Sequence, residues 1–138
     1  MSMNKELVYK TKVYYEDTDI GGVVYYANYL KFIERARTEA IISFGLSNTK
    51  LIKDYDTYII VKSCKIDFKK TAKLEDDLKV FSYVTFISKA SFKMIQKIKR
   101  DDDLIASALV HLVAVNSKGK PVKINDFLKK KLNFYLVK

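Results

Sequence analysis

Residues 26–45 read YANYLKFIERARTEAIISFG, and this stretch decides the fold. Its apolar residues recur at spacings of three and four, which is the pattern of a helix that buries one side. They are Leu30, Ile33, Ala36, Ala40, Ile41 and Phe44. Gly45 follows at the position where a helix commonly ends in a left-handed residue. The stretch therefore predicts one long helix over residues 26–44, with an apolar side that must be buried.

Strand patterns flank the predicted helix on both sides. Residues 7–15 alternate in the manner of a strand. After a short irregular or helical piece at 47–55, four further strands are predicted at 57–68, 78–87, 92–100 and 104–116. The last run is apolar on both faces, which favours an interior strand covered on each side. Residues 125–136 predict a C-terminal helix that Asn125 or Asp126 caps.

The order of these elements predicts the fold class. A helix with one apolar stripe must be buried against another element, and the sheet is the only partner that the sequence offers. The later strands are joined mostly by tight turns, which connect antiparallel neighbours. The sequence thus predicts an α+β fold in one domain, residues 1–138, with an antiparallel β-sheet wrapped around one long central helix.

Composition excludes several classes of protein. A chain of 138 residues with 49% hydrophobic and 13% aromatic residues is too apolar to be disordered. One cysteine, Cys64, and one histidine, His111, provide neither an internal disulfide nor a zinc site, and no metal site is predicted. The longest uncharged run, residues 104–117, is shorter than the roughly 20 residues of a membrane span. Residues 1–5 lack the apolar segment of a signal peptide, which predicts a cytoplasmic location.

The chain is strongly basic. Its 26 Lys and Arg residues against 16 Asp and Glu residues give a formal net charge of +10. Such an excess favours anionic partners, among them nucleic acid, phosphorylated cofactors and acidic lipids, although a lysine-rich composition also arises simply from an AT-rich genome. Only Arg35, Arg37 and Arg100 are arginines, and base readout favours arginine. Nucleic acid is therefore not a predicted partner.

Two acids precede the predicted helix. Residues 13–29 read VYYEDTDIGGVVYYANY, which puts Asp17 and Asp19 after a strand, then a glycine pair, then the helix start. A helix N-terminus offers unpaired N–H groups and the positive end of a dipole. A carboxylate facing it can attack a carbonyl that the N–H groups polarise, or activate water toward it. The alternative is that both acids merely cap turns, as Asp often does before Gly.

The same segment resembles a known family. The pattern Asp-Thr-Asp-x-Gly-Gly-Val-Val-Tyr-x-Ala-x-Tyr at residues 17–29 closely resembles the hotdog-fold acyl-CoA thioesterases, nearest to the YbgC-type and 4-hydroxybenzoyl-CoA thioesterases. The match is dense over residues 13–39 and continues in register, more sparsely, as far as residues 120–121. The resemblance implies the fold predicted above and an acyl-CoA thioesterase, with short-chain or aromatic acyl groups favoured.

The resemblance also implies roles for individual residues. Asp19 matches the catalytic carboxylate, either nucleophile or general base, and Tyr26 lies where a backbone N–H polarises the thioester carbonyl. Many YbgC-type members have His at the position of Tyr26. The substrate-binding residues implied are Asp17, Gly22, Val23, Asn28 and Tyr29 around the helix start and Ser88, Lys89 and Ser91 in a hairpin turn. Coenzyme A would be part of the substrate, so no separate cofactor is expected.

Other interpretations remain open at the level of sequence. The alternative function is a non-catalytic protein that binds acyl-CoA or acyl carrier protein. Because a lone sheet leaves its edges exposed, we expect a homo-oligomer, a dimer or a dimer of dimers (a homotetramer). Transient contact with acyl carrier protein or with enzymes of membrane lipid synthesis is a further expectation. His111 is expected in the core or an interface, Cys64 is not expected to be a nucleophile, and Glu34 is expected on the helix surface or facing the pocket.

Overall fold

The computed structural model describes residues 5–137. The parts of the predicted domain and of the signal-peptide interpretation that fall on residues 1–4 and 138 lie outside the described residues. The elements are β1 (Leu7–Lys12), a 3-10 turn (Tyr15–Asp17), α1 (Asn28–Ser43), α2 (Asn48–Tyr55), β2 (Tyr58–Phe68), β3 (Asp77–Ile87), β4 (Ser91–Arg100), β5 (Asp103–Val115) and α3 (Asp126–Tyr135). None of the helices in this part of the chain is long and apolar enough to cross a membrane.

The five strands form one antiparallel sheet in the order β1-β3-β4-β5-β2. Its inner face packs against α1, whose Phe32, Ile33 and Ala36 are buried among inward-facing strand residues such as Val80 and Ile98. Burying a large apolar side chain of this kind contributes about 1.5–3 kcal/mol. The predicted α+β class, with an antiparallel sheet around one long helix, is confirmed.

The predicted helix boundaries are correct to within about one turn. α1 begins at Asn28 rather than at Tyr26, because the chain first makes a turn in which the Asn28 N–H donates to the Tyr25 carbonyl, 2.8 Å away. At the other end Gly45 has φ +90°, the left-handed conformation predicted for it. The N-cap of α3 is Asn125, whose Oδ1 accepts hydrogen bonds from the two amides that follow Asp126.

The first strand is shorter than predicted. β1 ends at Lys12, and the expected strand residues up to Tyr15 instead enter a 3-10 turn. The Asp17 carboxylate causes this turn by accepting a hydrogen bond from the Tyr14 N–H at 2.9 Å. The other four strands start and end within one residue of the prediction.

A buried glutamine fastens α1 to the sheet. Gln96 on β4 has 0% exposure, and its Nε2 donates to the Ile33 carbonyl at 3.0 Å and to Ser82 Oγ at 2.9 Å. Its Oε1 accepts a hydrogen bond from Arg37 Nη1 at 3.1 Å. Because buried polar groups are costly unless they are paired, this satisfied side chain fixes α1 relative to β3 and β4.

Two surfaces of the sheet are left open in the single chain. β5 is an interior strand as predicted, but its outer face is not covered, and Leu109 is 45% exposed. The predicted burial on both faces of this strand is therefore wrong for the single chain. β2 is an edge strand whose Ile60, Val61 and Phe68 are all exposed. His111, expected in the core or an interface, lies half-buried on the outer face.

Candidate active site

Asp17 braces the loop that connects β1 to α1. It is only 2% exposed, and its Oδ1 accepts a hydrogen bond from Asn28 Nδ2 at 2.8 Å, while Oδ2 accepts from the Tyr14 N–H. Its own carbonyl accepts from the Tyr25 N–H at 2.9 Å. Both carboxylate oxygens therefore have donors within the chain, in agreement with the turn-capping alternative for this acid. Asp17 ties the start of the loop to the start of the helix.

Asp19 is arranged differently, two residues further on. Its side chain is exposed, and Oδ1 accepts the Gly21 N–H at 2.9 Å, while Oδ2 accepts no hydrogen bond from residues 5–137. The backbone closes around it, because the Asp19 N–H donates to the Val23 carbonyl and the Gly22 N–H donates to the Asp19 carbonyl. Gly22 has φ +78°, which favours glycine. The loop thus holds Asp19 in place and leaves one of its oxygens available.

The helix start supplies hydrogen-bond donors. The Asn28 and Tyr29 N–H groups already donate to carbonyls one turn earlier, but the N–H groups of Tyr26 and Ala27 donate to no atom of the described chain. The Tyr26 ring is exposed and lies against Phe68, with 6.2 Å between ring centroids. Free N–H groups at the positive end of a helix are suited to polarising a carbonyl oxygen.

The remaining predicted residues of this region support the loop. Gly22 accepts the Leu74 N–H through its carbonyl, and Val23 pairs with Lys73. The buried Tyr29 hydroxyl accepts the Ala72 N–H at 3.0 Å. Burial raises the pKa of Tyr29, and the bond from Ala72 opposes that shift. Seven predicted residues therefore belong to one local structure: Asp17, Asp19, Gly22, Val23, Tyr26, Asn28 and Tyr29.

Ser88, Lys89 and Ser91 lie elsewhere. They form the turn between β3 and β4, closed by a 2.7 Å bond from the Ser88 N–H to the Ser91 carbonyl and by a 2.6 Å contact between the two hydroxyls. β3 begins beside Lys12, close to the Asp19 loop, and this turn follows its other end. Eleven residues of strand span roughly 35 Å. Within one copy of the chain, this turn and the Asp19 loop therefore lie near opposite ends of β3.

An apolar groove leads away from the helix start, between α1 and β2. It is lined by Leu30, Ile33, Glu34, Arg37, Val61, Cys64 and Val110. Glu34 thus faces this groove, one of its two expected positions. Cys64 is a free, exposed cysteine, and the partial burial of its thiol raises the pKa of that group, which disfavours the thiolate.

The sequence analysis did not predict that Arg37 lines the groove or that it is hydrogen-bonded to Gln96. Burial lowers the pKa of the Arg37 guanidinium, and the nearby Glu34 carboxylate partly offsets that effect. The available signal was Gln96 itself, the one polar side chain among the inward-facing positions of β4, which otherwise hold Phe92, Met94 and Ile98. No group of three or more His, Cys, Asp or Glu side chains arranged to hold a metal ion occurs between residues 5 and 137.

Comparison with known proteins identifies the class to which this fold and loop belong. Residues 13–132 match the family model of the thioesterase-like superfamily, and the chain belongs to that superfamily. A probable thioesterase from Bartonella henselae, solved by crystallography, superposes with a TM-score of 0.83 at 30% identity, over 86% of this chain and 98% of that one. The chain is therefore a hotdog-fold thioesterase.

Within that class the similarity is to YbgC. The acyl-CoA thioesterase YbgC of Haemophilus influenzae is 38% identical over 115 residues, which are 83% of this chain and 85% of that protein. The acyl-CoA thioester hydrolase YbgC of Shigella flexneri is 36% identical over 112 residues, which are 80% and 83% of the two chains. The resemblance to the YbgC-type thioesterases that the residues 17–29 motif indicated is confirmed.

Proposed function

We propose that this chain hydrolyses acyl-CoA thioesters to the free acid and coenzyme A, with Asp19 and the Tyr26 N–H as the catalytic groups. The observation that carries the proposal is the pairing, in one short loop, of a carboxylate that keeps a free oxygen with unpaired N–H groups at the start of α1. The related proteins from Haemophilus influenzae and Shigella flexneri, which bear acyl-CoA thioesterase names, support the choice of substrate.

The chemistry requires few groups. The Tyr26 N–H donates a hydrogen bond to the thioester oxygen and stabilises the negative charge that develops there. Asp19 then attacks the carbonyl carbon, the C–S bond breaks to release the thiolate of coenzyme A, and water cleaves the resulting anhydride. In the alternative route Asp19 takes a proton from the attacking water. Because a thiol has a pKa of about 8.5, the thiolate leaves readily and no serine–histidine pair is needed.

Asp19→Asn tests the site directly. We expect its turnover to fall at least about 10²-fold in a thiol-release assay, because the amide is neither nucleophile nor base. Glu16→Gln is the matched control, since Glu16 is an exposed acid in the same loop. A folded Asp19→Asn protein with a near-normal rate would contradict the proposal. Single-turnover hydrolysis in H₂¹⁸O separates the two routes, because label enters Asp19 only if that carboxylate attacks.

The acyl group is the next part of the proposal. We infer that short-chain or aromatic acyl groups lie in the groove between α1 and β2, since most of its wall residues are apolar and it runs along α1 from Leu30 to Arg37. The alternative is a protein that binds acyl-CoA or acyl carrier protein without cleaving the thioester. Binding of acyl-CoA in the absence of thiol release from short, aromatic and long acyl groups would favour that alternative.

We also propose that the working protein is a homo-oligomer, a dimer or a dimer of dimers. The exposed apolar residues of edge strand β2 support this, and so does the distance between Asp19 and the turn at Ser88, because a second copy can bring that turn to the site. Light scattering at micromolar concentration tests it, and a monomer would contradict the shared site. A cytoplasmic location stays a prediction.

A transient contact with acyl carrier protein, or with enzymes of membrane lipid synthesis, is the last element of the proposal. On the outer face of the sheet, lysine side chains lie over aromatic rings at 5.2–5.9 Å from the ring centroids, in the pairs Lys93–Phe86, Lys97–Tyr83 and Lys99–Phe81. Together with the net charge of +10, this surface favours an acidic partner. Binding that weakens as salt rises is expected, and salt-independent binding would contradict an electrostatic contact.

A further inference from the structure

The groove of the proposed thioesterase site has a defined far end. It lies along the first half of α1, with an empty volume of about 540 Å³ that includes space open to solvent. Along the helix it passes Leu30 and ends at Arg37. Apolar side chains form most of the walls, so the groove suits an aliphatic or aromatic acyl group.

A second cavity lies directly beyond this end. Its empty volume of about 540 Å³ likewise includes space open to solvent, and it is lined by apolar residues from the second half of α1, from the sheet and from α3, among them Ile41, Phe44, Met94 and Leu132. Glu34 and Arg37 line both spaces, so these two side chains stand between them. This second space, the inner cavity, therefore adjoins the groove, and two charged side chains stand at the shared boundary.

Arg37 is held in this position. Its Nη1 donates to Gln96 Oε1 at 3.1 Å, and Gln96 is itself fixed by its bonds to the Ile33 carbonyl and to Ser82. A long flexible side chain that was free to move would not close a groove, because it can swing into solvent. The fully buried Gln96 removes that freedom from Arg37.

We propose that Arg37, held by Gln96, ends the acyl groove and sets the longest acyl chain that the site hydrolyses efficiently. This inference rests on the proposed function. Tyr26 lies two residues before α1, and from Asn28, the first residue of the helix, Glu34 is six positions and Arg37 nine positions further along, which correspond to roughly 9 Å and 13 Å. An extended chain advances about 1.2 Å per bond, so about 8–11 bonds from the start of the helix reach this pair. Acyl groups up to about ten carbons therefore fit, and longer ones meet the guanidinium, which they cannot desolvate without cost.

Arg37→Ala is the test, with kcat/KM measured for saturated acyl-CoA substrates from four to sixteen carbons. In the wild type we expect kcat/KM to fall at least about tenfold between eight and sixteen carbons. In Arg37→Ala the sixteen-carbon substrate is expected to gain about tenfold, with the four-carbon substrate little changed, because only the long chain enters the inner cavity. Arg35→Ala, an exposed arginine of the same helix, is the matched control and should keep the wild-type profile.

A second substitution tests whether the inner cavity receives the chain. Ala40 is buried in its wall, and Arg37→Ala combined with Ala40→Phe should refill the space and abolish the gain on long chains. Circular dichroism checks that each variant is folded, and Arg37→Leu carries the same test if the alanine variant unfolds.

Three outcomes would overturn the inference: an unchanged chain-length profile in Arg37→Ala, a gain that survives Ala40→Phe, or a wild type that already accepts sixteen carbons as well as eight. In each of these the enzyme still releases thiol and Asp19→Asn still abolishes that release, so the proposed function stands. A wild type that releases no thiol from any acyl-CoA would instead overturn the proposed function itself.

Discussion

Substitution of Asp17 is expected to lower the stability of the protein, whereas substitution of Asp19 is expected to abolish its turnover, although the two acids are only two positions apart. Asp17→Ala removes the acceptor of two hydrogen bonds in a site that is 2% exposed, and it leaves the Asn28 amide and the Tyr14 N–H without partners. Leaving a buried donor unsatisfied costs about 1–3 kcal/mol. The free energy of unfolding should therefore fall by about 2–5 kcal/mol. Asp19→Ala touches one exposed bond, and its effect on stability should stay within about 0.5 kcal/mol.

Urea unfolding followed by circular dichroism measures this difference. Both variants and the wild type must be compared at one protein concentration, because subunit association contributes to the stability of an oligomer. With a slope of about 2 kcal/mol per M, the midpoint of Asp17→Ala should move down by about 1–2.5 M. Thiol release below the transition should be lost in Asp19→Ala and largely kept by folded Asp17→Ala. An Asp17→Ala protein as stable as the wild type would refute the bracing role.

Three further predictions concern the loop and its surroundings. Burial alone would raise the pKa of Asp76, but a backbone N–H and the Arg100 guanidinium hold it below its usual 3.8. Ionised Asp76 therefore stabilises the folded protein above pH 3.8, and this contribution is lost as the pH falls through the lower pKa of the folded state. Acid unfolding followed by circular dichroism should accordingly be less steep in Asp76→Asn. Gly22→Ala should cost about 1–2 kcal/mol and lower turnover, whereas Gly119→Ala, at φ +77°, should cost the same in urea unfolding and leave turnover unchanged. Tyr26→Phe and Tyr26→His should keep turnover within about threefold, since the proposed donor is the backbone N–H; a loss of 10²-fold would assign the role to the side chain.

The helix and the strands could be predicted because their signal is local. Spacings of three and four placed α1 to within two residues at its start and one at its end, and alternation placed β2–β5 within one residue. The position of the loop could be predicted, but the separate roles of its two aspartates could not. Asp17 and Asp19 look alike in the sequence, and only the packing of the loop on α1 buries one and exposes the other.

Contacts between segments that are far apart in the chain could not be predicted from the sequence pattern. Alternation along β4 puts Gln96 on the same face as Met94 and Ile98, but its bonds to Ser82 and Arg37 depend on the register of β4 against β3 and on the docking of α1, which no local pattern specifies. The hairpin turn predicted at Ser88, Lys89 and Ser91 is present, but its distance from Asp19 depends on the arrangement of the strands, which a family motif does not state.

The anchoring of α1 by Gln96 has a consequence for how such a protein diversifies. Because Gln96 prevents α1 from sliding along the sheet, the distance between the Asp19 loop and Arg37 is constant. That distance fixes the length of the groove. Moving the end of the groove by a turn needs a few substitutions on α1 and on the strand that holds Gln96, and none in the loop that holds Asp19. The range of acyl chains can therefore change between related proteins while the catalytic loop stays the same.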